Sequence, residues 1–411
     1  MAQGPAPSPA ATASAAPIVE TPRWADAFVD SVGVNTHFSY VDTPYVANYA
    51  TAASLLAGLH VRHIRDSATA SADSSYYGHL AALAQTYGIH ADLITIMNEP
   101  VGSITGVLAK TGSAPSGAAE FVEYPNEWDL NGGPSWAAGL PPYGQTLWTA
   151  TLQFDGAKLI GPSLTSVEAY TQSFPAGTFA AIADYGNIHD YFGTYNPDTT
   201  GFGGDFPPYG VYGTIGFWLN LCASIEPTPV FATETGWDDG TTAGISVSAA
   251  VKARYVMRVL LNHWNAGIRK TYLYELLDEG GRHYGLLTGA LATKASYTAI
   301  RNMLAMLGDP GSAPTLQPLS YTLQTSSTIE HTLLQKRDGS YQLLLWNAVP
   351  ASDPQVAMLP VGIVFNKRWS SVIQDTWQDT GAAAPPVLMP SKSNALTLNV
   401  DDRVTLLVLK P

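Results

Sequence analysis

Glu127 closes the run Phe121-Val122-Glu123-Tyr124-Pro125-Asn126-Glu127, and Glu234 closes the run Pro229-Val230-Phe231-Ala232-Thr233-Glu234. Both runs are rich in β-branched and aromatic residues, so each reads as a buried strand ending in a carboxylate. Two carboxylates held across one cleft can cleave a glycosidic bond. One stays protonated and helps the leaving group depart, while the other stays ionised and attacks the sugar.

Positioning such a pair requires a scaffold. From about residue 30, short β-rich runs alternate with helical or loop stretches. The predicted strands are Ser31–Thr36, Val61–Arg65, His90–Ile96, Glu120–Tyr124, Lys158–Pro162, Asn187–Tyr191, Pro229–Thr233 and Lys270–Glu275. Helices are predicted over Thr43–Ala57, Tyr76–Tyr87 and Val247–Asn265, each ending close to a glycine (Gly58, Gly88, Gly267). Buried strands alternating with helices imply a parallel sheet covered by helices, and eight such units fit a closed (β/α)8 TIM barrel. A doubly wound open sheet is the alternative. It usually carries a Gly-rich phosphate loop after its first strand, and Val32-Gly33-Val34-Asn35-Thr36-His37 is not one.

After Pro310 the pattern changes to short alternating runs, with a hairpin signal at Arg337-Asp338-Gly339-Ser340. The expected organisation is an Ala/Pro/Ser-rich segment over 1–17, a barrel over 18–310 and an all-β sandwich over 311–411. The sandwich is expected to stabilise the barrel, because Trp346, Trp369 and Trp377 are too scattered to form a sugar platform.

Bulk composition narrows the function. A net charge of −13 argues against a nucleic-acid partner, and no apolar run is long enough to span a bilayer. The single cysteine, Cys222, lies in an apolar stretch without a basic neighbour and reads as a small core residue. The segment 1–17 lacks the basic and apolar regions of a signal peptide. It resembles the flexible stretch that follows a removed signal, so a secreted or periplasmic monomer is expected. No histidine pair has metal-ligand spacing and no Gly-x-Ser-x-Gly elbow occurs, so neither a cofactor, a metal nor a serine nucleophile is expected.

Polar residues gather at the predicted strand ends: Asn35 and His37, Arg65 and Asp66, Asn98 and Glu99, Asn126 and Glu127, His189 and Tyr191, Glu234, and Tyr274 and Glu275. Active sites of (β/α)8 barrels lie at those ends. With Pro125-Asn126-Glu127 after strand four and Glu234 after strand seven, the chain resembles the retaining glycosidases of glycoside hydrolase clan A. The appended β-module is similar to that of family 39 and family 39-like members. The resemblance implies Glu127 as acid/base, Glu234 as nucleophile and Asn126 as a ligand of the sugar 2-hydroxyl. It implies that Arg65 and Tyr191 hydrogen-bond the ionised nucleophile. An ion pair with Asp66 or another carboxylate at the barrel mouth for Arg65, and core packing for Tyr191, are the alternatives.

Two features depart from that pattern. Met97-Asn98-Glu99-Pro100 after strand three offers Glu99 as a rival acid/base. Strand eight lacks the tryptophan often found there, so Tyr274 or Glu275 must serve at the sugar site. Trp128, Trp136, Tyr143 and Trp148 after strand four, Trp237 after strand seven, and Tyr195, Phe202, Phe206, Tyr209 and Tyr212 after strand six are candidate sugar-packing rings. His37, His189 and Asn35 are further candidates for substrate contact. The expected activity is hydrolysis of a β-linked polysaccharide or oligosaccharide by double displacement, possible as endo-action. Transglycosylation at the same site and non-catalytic carbohydrate binding are the competing readings.

Overall fold

A computed structural model describes residues 16–411 except 71, 73, 98, 113–116, 155, 326–327 and 390–392. Most of the expected N-terminal segment and Asn98 therefore lie outside the described residues.

Eight parallel strands form one sheet: Val32–Asn35, His63–Ala68, His90–Thr95, Ala119–Glu123, Lys158–Ile160, Gly186–His189, Val230–Thr235 and Thr271–Leu273. All eight coincide with predicted strands. Strand eight pairs with strand one through Thr271 and Val32. The seam between strands five and six is closed by a bridge from Ile160 to Tyr185 and by the Gly161 N–H to Tyr185 carbonyl hydrogen bond of 2.8 Å. The sheet is thus a (β/α)8 barrel.

The barrel interior is layered. Phe121, Ile160, Phe231 and Tyr272 form an apolar plug. Gly33 makes room for it, since a Cβ there would lie 2.4 Å from the Tyr272 ring. Two residues further along their strands, Glu123 and Thr233 follow Phe121 and Phe231 on the same inward face, as the two-residue strand period requires. There they meet Arg65, Asn35 and Asn187 in a buried polar layer. This layer supports the mouth.

Helix Ala249–Ala266 begins with the Ser248 hydroxyl accepting from the Val251 N–H and ends at Gly267 in the left-handed conformation, φ 84°. The end of helix Tyr49–Gly58 differs from expectation. The helix runs through Gly58, and the left-handed residue is His60, φ 66°.

The C-terminal module is a sandwich of two sheets. One contains Ile18–Glu20, Leu319–Gln324, Leu359–Phe365 and Ala395–Val400. The other contains Val387–Met389, Ser371–Thr376, Thr405–Lys410, Tyr341–Asn347, Ile329–Gln335 and Arg23–Trp24. Ile18–Glu20 and Arg23–Trp24 fall in the segment 18–310 that the sequence assigns to the barrel, yet they pair with Tyr321 and Leu334 of the sandwich. Runs of three and two residues are too short to show a strand period, which is why they are missed.

The sandwich packs on helix Ala249–Ala266. Arg254 reaches Asp402 at 2.8 Å and Asp379 at 2.6 Å, and Arg258 donates to the Val349 carbonyl at 3.0 Å. Trp346 is fully buried and its indole N–H donates to Asp198 at 2.7 Å. Trp369 and Trp377 are buried as well. Cys222 lies in the core. Among the described residues no helix is long and apolar enough to cross a membrane.

Candidate active site

Strand six shows how the local sequence aims the site. Asn187, His189 and Tyr191 recur at intervals of two and all face inward. The Asn187 amide donates to Glu123 Oε1 at 3.0 Å, His189 Nδ1 lies 2.9 Å from Glu127 Oε1, and the Tyr191 hydroxyl donates to Glu234 Oε2 at 2.7 Å. Strand seven breaks that rule. Thr233 contacts Asn187 and Glu123 inside the barrel, and the very next residue, Glu234, also turns into the mouth. A register shift between Ala232 and Glu234 against strand six is the cause, since an irregularity of this kind re-aims a side chain.

Arg65 is the hub. Its guanidinium donates to both oxygens of Glu123 at 2.7 Å, to Asn35 Oδ1 at 2.9 Å, to Asn126 Oδ1 at 2.8 Å and to Glu234 Oε1 at 2.5 Å. All five donor positions of the guanidinium fork are thereby used. Asn126 accepts from Arg65 through its oxygen, which leaves its amide hydrogens to face the cavity. Asp66, offered by the sequence as a partner for Arg65, instead accepts from Thr36, the Phe38 N–H and Tyr76 on the other face of the strand.

Glu127 follows strand four in a left-handed conformation, φ 46°, which non-glycine residues adopt at some cost and often at functional positions. Its N–H meets the Ser163 hydroxyl at 3.3 Å, and its carbonyl caps a short helical turn over Trp128–Asn131. An oxygen of Glu127, one of Glu234 and a nitrogen of His189 lie within 4.8 Å of one another.

Electrostatics differentiate these groups. Burial alone would raise the Glu234 carboxyl, but the charges of His189 and Arg65 and the hydrogen bonds from Tyr191 and Arg65 outweigh it and hold the pKa below its ordinary value. Burial and the neighbouring Glu234 push the Tyr191 phenol far up, so it remains a donor. Burial opposes protonation of His189, yet Glu234 and Glu127 raise its pKa above the ordinary value.

A cavity of about 280 Å³ opens over Glu234, Arg65 and Asn126 and is walled by His37 and Tyr274. The sequence did not single out its other polar walls, Tyr40, Ser67, Thr95 and Asn131. Glu99 is turned toward the loop after strand two, where it accepts from the Thr69 hydroxyl at 2.7 Å and the Ala70 N–H at 3.0 Å.

Several expected contacts lie elsewhere. Trp237 is fully buried, stacked on Phe192, with its indole N–H on the Tyr195 carbonyl. Asn35 braces Arg65 and His189 braces Glu127, both beneath the cavity surface. Glu275 is also buried, 3.4 Å behind His37. Trp128 packs edge-on against Tyr143, and Tyr195, Phe202 and Tyr212 pack on one another. Apolar rings on these loops thus find partners among themselves. Glu123, Asn187 and Thr233 were missed, although the alternation along strands four, six and seven carries the signal.

Neither a family model nor a curated protein matches the sequence. Solved structures do match. A GH30 endoxylanase from Clostridium papyrosolvens C71 superposes with a TM-score of 0.58 over 97% of this chain and 98% of its own, at 12% identity. CelM2, a bifunctional glucanase-xylanase from a metagenome library, gives 0.56 over 95% and 96% at 10% identity. The catalytic domain of GH30 xylanase C from Talaromyces cellulolyticus gives 0.53 over 97% and 98% at 10% identity. The likeness is one of fold, barrel and β-module together. Two of these three structures are GH30 enzymes, and a likeness to family 39 in particular is not shown.

Proposed function

We propose that the protein is a retaining glycoside hydrolase acting on a β-linked glycan, with Glu234 as nucleophile and Glu127 as acid/base. The observation that carries this reading is the approach of Glu127 and Glu234 oxygens to within 4.8 Å. Retaining pairs stand about 5–5.5 Å apart, whereas inverting pairs need about 6.5–9.5 Å to admit a water.

The differing environments support the division of roles. Arg65 and Tyr191 keep Glu234 ionised and aimed. Its carboxylate attacks the anomeric carbon, and the C–O bond to the leaving group breaks as Glu127 delivers a proton to the glycosidic oxygen. A glycosyl–enzyme ester results. Glu127 then takes a proton from water, which attacks the same carbon and releases Glu234. His189, hydrogen-bonded to Glu127, fixes the orientation of the acid/base. Asn126 presents its amide to the sugar hydroxyl beside the reacting carbon. Glu99 is engaged by Thr69 and Ala70, which favours Glu127 over it. The Ala/Pro/Ser-rich composition over 1–17 is compatible with export.

The test is reducing-end release from β-linked polysaccharides, beginning with xylan and β-glucans because the similar structures are named for those activities. Wild type is run beside Glu127→Gln, Glu234→Gln and Glu99→Gln. Release that disappears in the first two and persists in the third supports the reading. Loss in Glu99→Gln with survival in Glu127→Gln would overturn the acid/base assignment.

A further inference from the structure

Beside the cavity, at the end of strand eight, three side chains converge without an obvious reason. His37 Nδ1 lies 2.5 Å from Glu279 Oε2 and 3.4 Å from Glu275 Oε2. One ligand atom from each of the three falls within 4.8 Å of the others. An ion pair between His37 and Glu279 accounts for one oxygen. It leaves Glu275 Oε2 and Glu279 Oε1 buried, with no hydrogen-bond partner among the described residues. Glu275 itself is only 1% exposed and is aimed into the cluster. Buried carboxylate oxygens normally have donors, and each one left without costs free energy.

We infer that His37, Glu275 and Glu279 form a divalent metal site, of the zinc type, in the wall of the cavity. One imidazole nitrogen and two carboxylate oxygens make a donor set suited to zinc. Ligands at about 2.1 Å from a tetrahedral zinc stand about 3.4 Å apart, which matches the His37–Glu275 separation. The His37–Glu279 contact is shorter and must open as the ion displaces the shared proton. His37 and Glu279 are partly exposed, so a fourth position faces solvent and the cavity, where water or a sugar hydroxyl would complete the shell. Sequence spacing hides such a site. Glu275 and Glu279 are four apart, but His37 follows strand one and joins them only because strands one and eight are neighbours in the closed barrel.

The test uses full-length protein stripped with a chelator, loaded with zinc chloride and dialysed. Metal content is read by plasma mass spectrometry, and affinity by titration with zinc alone. A second cluster, Glu127, His189 and Glu234, also brings three ligand atoms together, so Glu127→Gln serves as the control. The expected result is one equivalent of zinc retained by wild type and by Glu127→Gln. Affinity should fall by about 10–100-fold or more in Glu279→Gln, because loss of a ligand exceeds loss of an outer partner. Circular dichroism checks that Glu279→Gln is folded; should it not be, His37→Asn replaces it. Failure of wild type to retain zinc would overturn the inference, as would equal binding by the folded cluster variant. So would loss of binding in Glu127→Gln.

Discussion

Arg65 meets Glu123 through two parallel hydrogen bonds of 2.7 Å each, with both side chains buried. The pair joins strand two to strand four beneath the mouth. It fixes the guanidinium so that its remaining hydrogens fall on Asn35, Asn126 and Glu234. Removing one partner of such a buried pair leaves an uncompensated charge and costs about 3–5 kcal/mol. Glu123→Gln should therefore destabilise the fold by an amount of that order, measured by urea denaturation, before any effect on chemistry is considered.

Glu127→Gln removes the proton donor while leaving the nucleophile in place. Turnover of a natural glycan should drop by about 10²–10⁴-fold. An aryl glycoside with an acidic phenol as leaving group needs no proton to depart, so formation of the glycosyl–enzyme should be much less affected. A burst of phenol followed by a slow phase would be the signature. Equal loss on both substrates would remove Glu127 from the acid role.

Tyr191→Phe deletes one hydrogen bond to Glu234. A bond to a charged group contributes about 1.5–3 kcal/mol, which corresponds to about 10–100-fold in kcat/KM. The Glu234 carboxyl is held below its ordinary 4.5 partly by this bond. Its loss lets the pKa rise, so the acidic limb of the pH–rate profile should move to higher pH. An unmoved acidic limb would show that Tyr191 does not tune the nucleophile.

His189 has its pKa raised above 6.5 by the two glutamates. Stabilisation from a raised group is fully present below the unfolded pKa and is lost as pH rises through the folded one. The stability gap between wild type and His189→Asn should therefore be widest below 6.5 and narrow on the alkaline side. Denaturation midpoints across that range check the sign. A gap that widened with pH would mean that His189 is bound neutral.

Gly33→Ala probes the plug rather than the chemistry. The added Cβ would lie 2.4 Å from the Tyr272 ring, which is held inside a closed barrel. Overpacking of this kind costs about 1–3 kcal/mol. The thermal midpoint should fall, while the pH dependence of activity stays as in wild type.

The barrel was legible because its strands are buried on both faces and therefore read as apolar runs bounded by turn residues. Glu127, Glu234, Arg65 and Tyr191 were legible because each closes such a run. The aromatic loops were harder to read, since a ring that packs on a neighbouring loop and a ring that faces a sugar look alike in sequence. Trp237 is the clearest case: it follows Glu234 by three positions yet stacks on Phe192 in the core. The bracing layer of Glu123, Asn187 and Thr233 was passed over because the residues lie one alternation below the strand ends. Glu279 was missed for another reason, as its partner His37 is 242 positions away in sequence but beside it in space.

The six-stranded sheet of the sandwich has Thr405–Lys410 near its centre, between Tyr341–Asn347 and Ser371–Thr376. During synthesis the flanking strands emerge first and wait with a gap between them. Until Thr405–Lys410 arrives, Tyr341–Asn347 and Ser371–Thr376 each present an open edge, the kind of surface on which chains associate wrongly. Asp402 lies just before this strand, so one of the two acidic partners of Arg254 arrives in the same late step. Proteolytic loss of this one segment would unzip the sheet through its middle, leaving two fragments of sheet, each with an open edge.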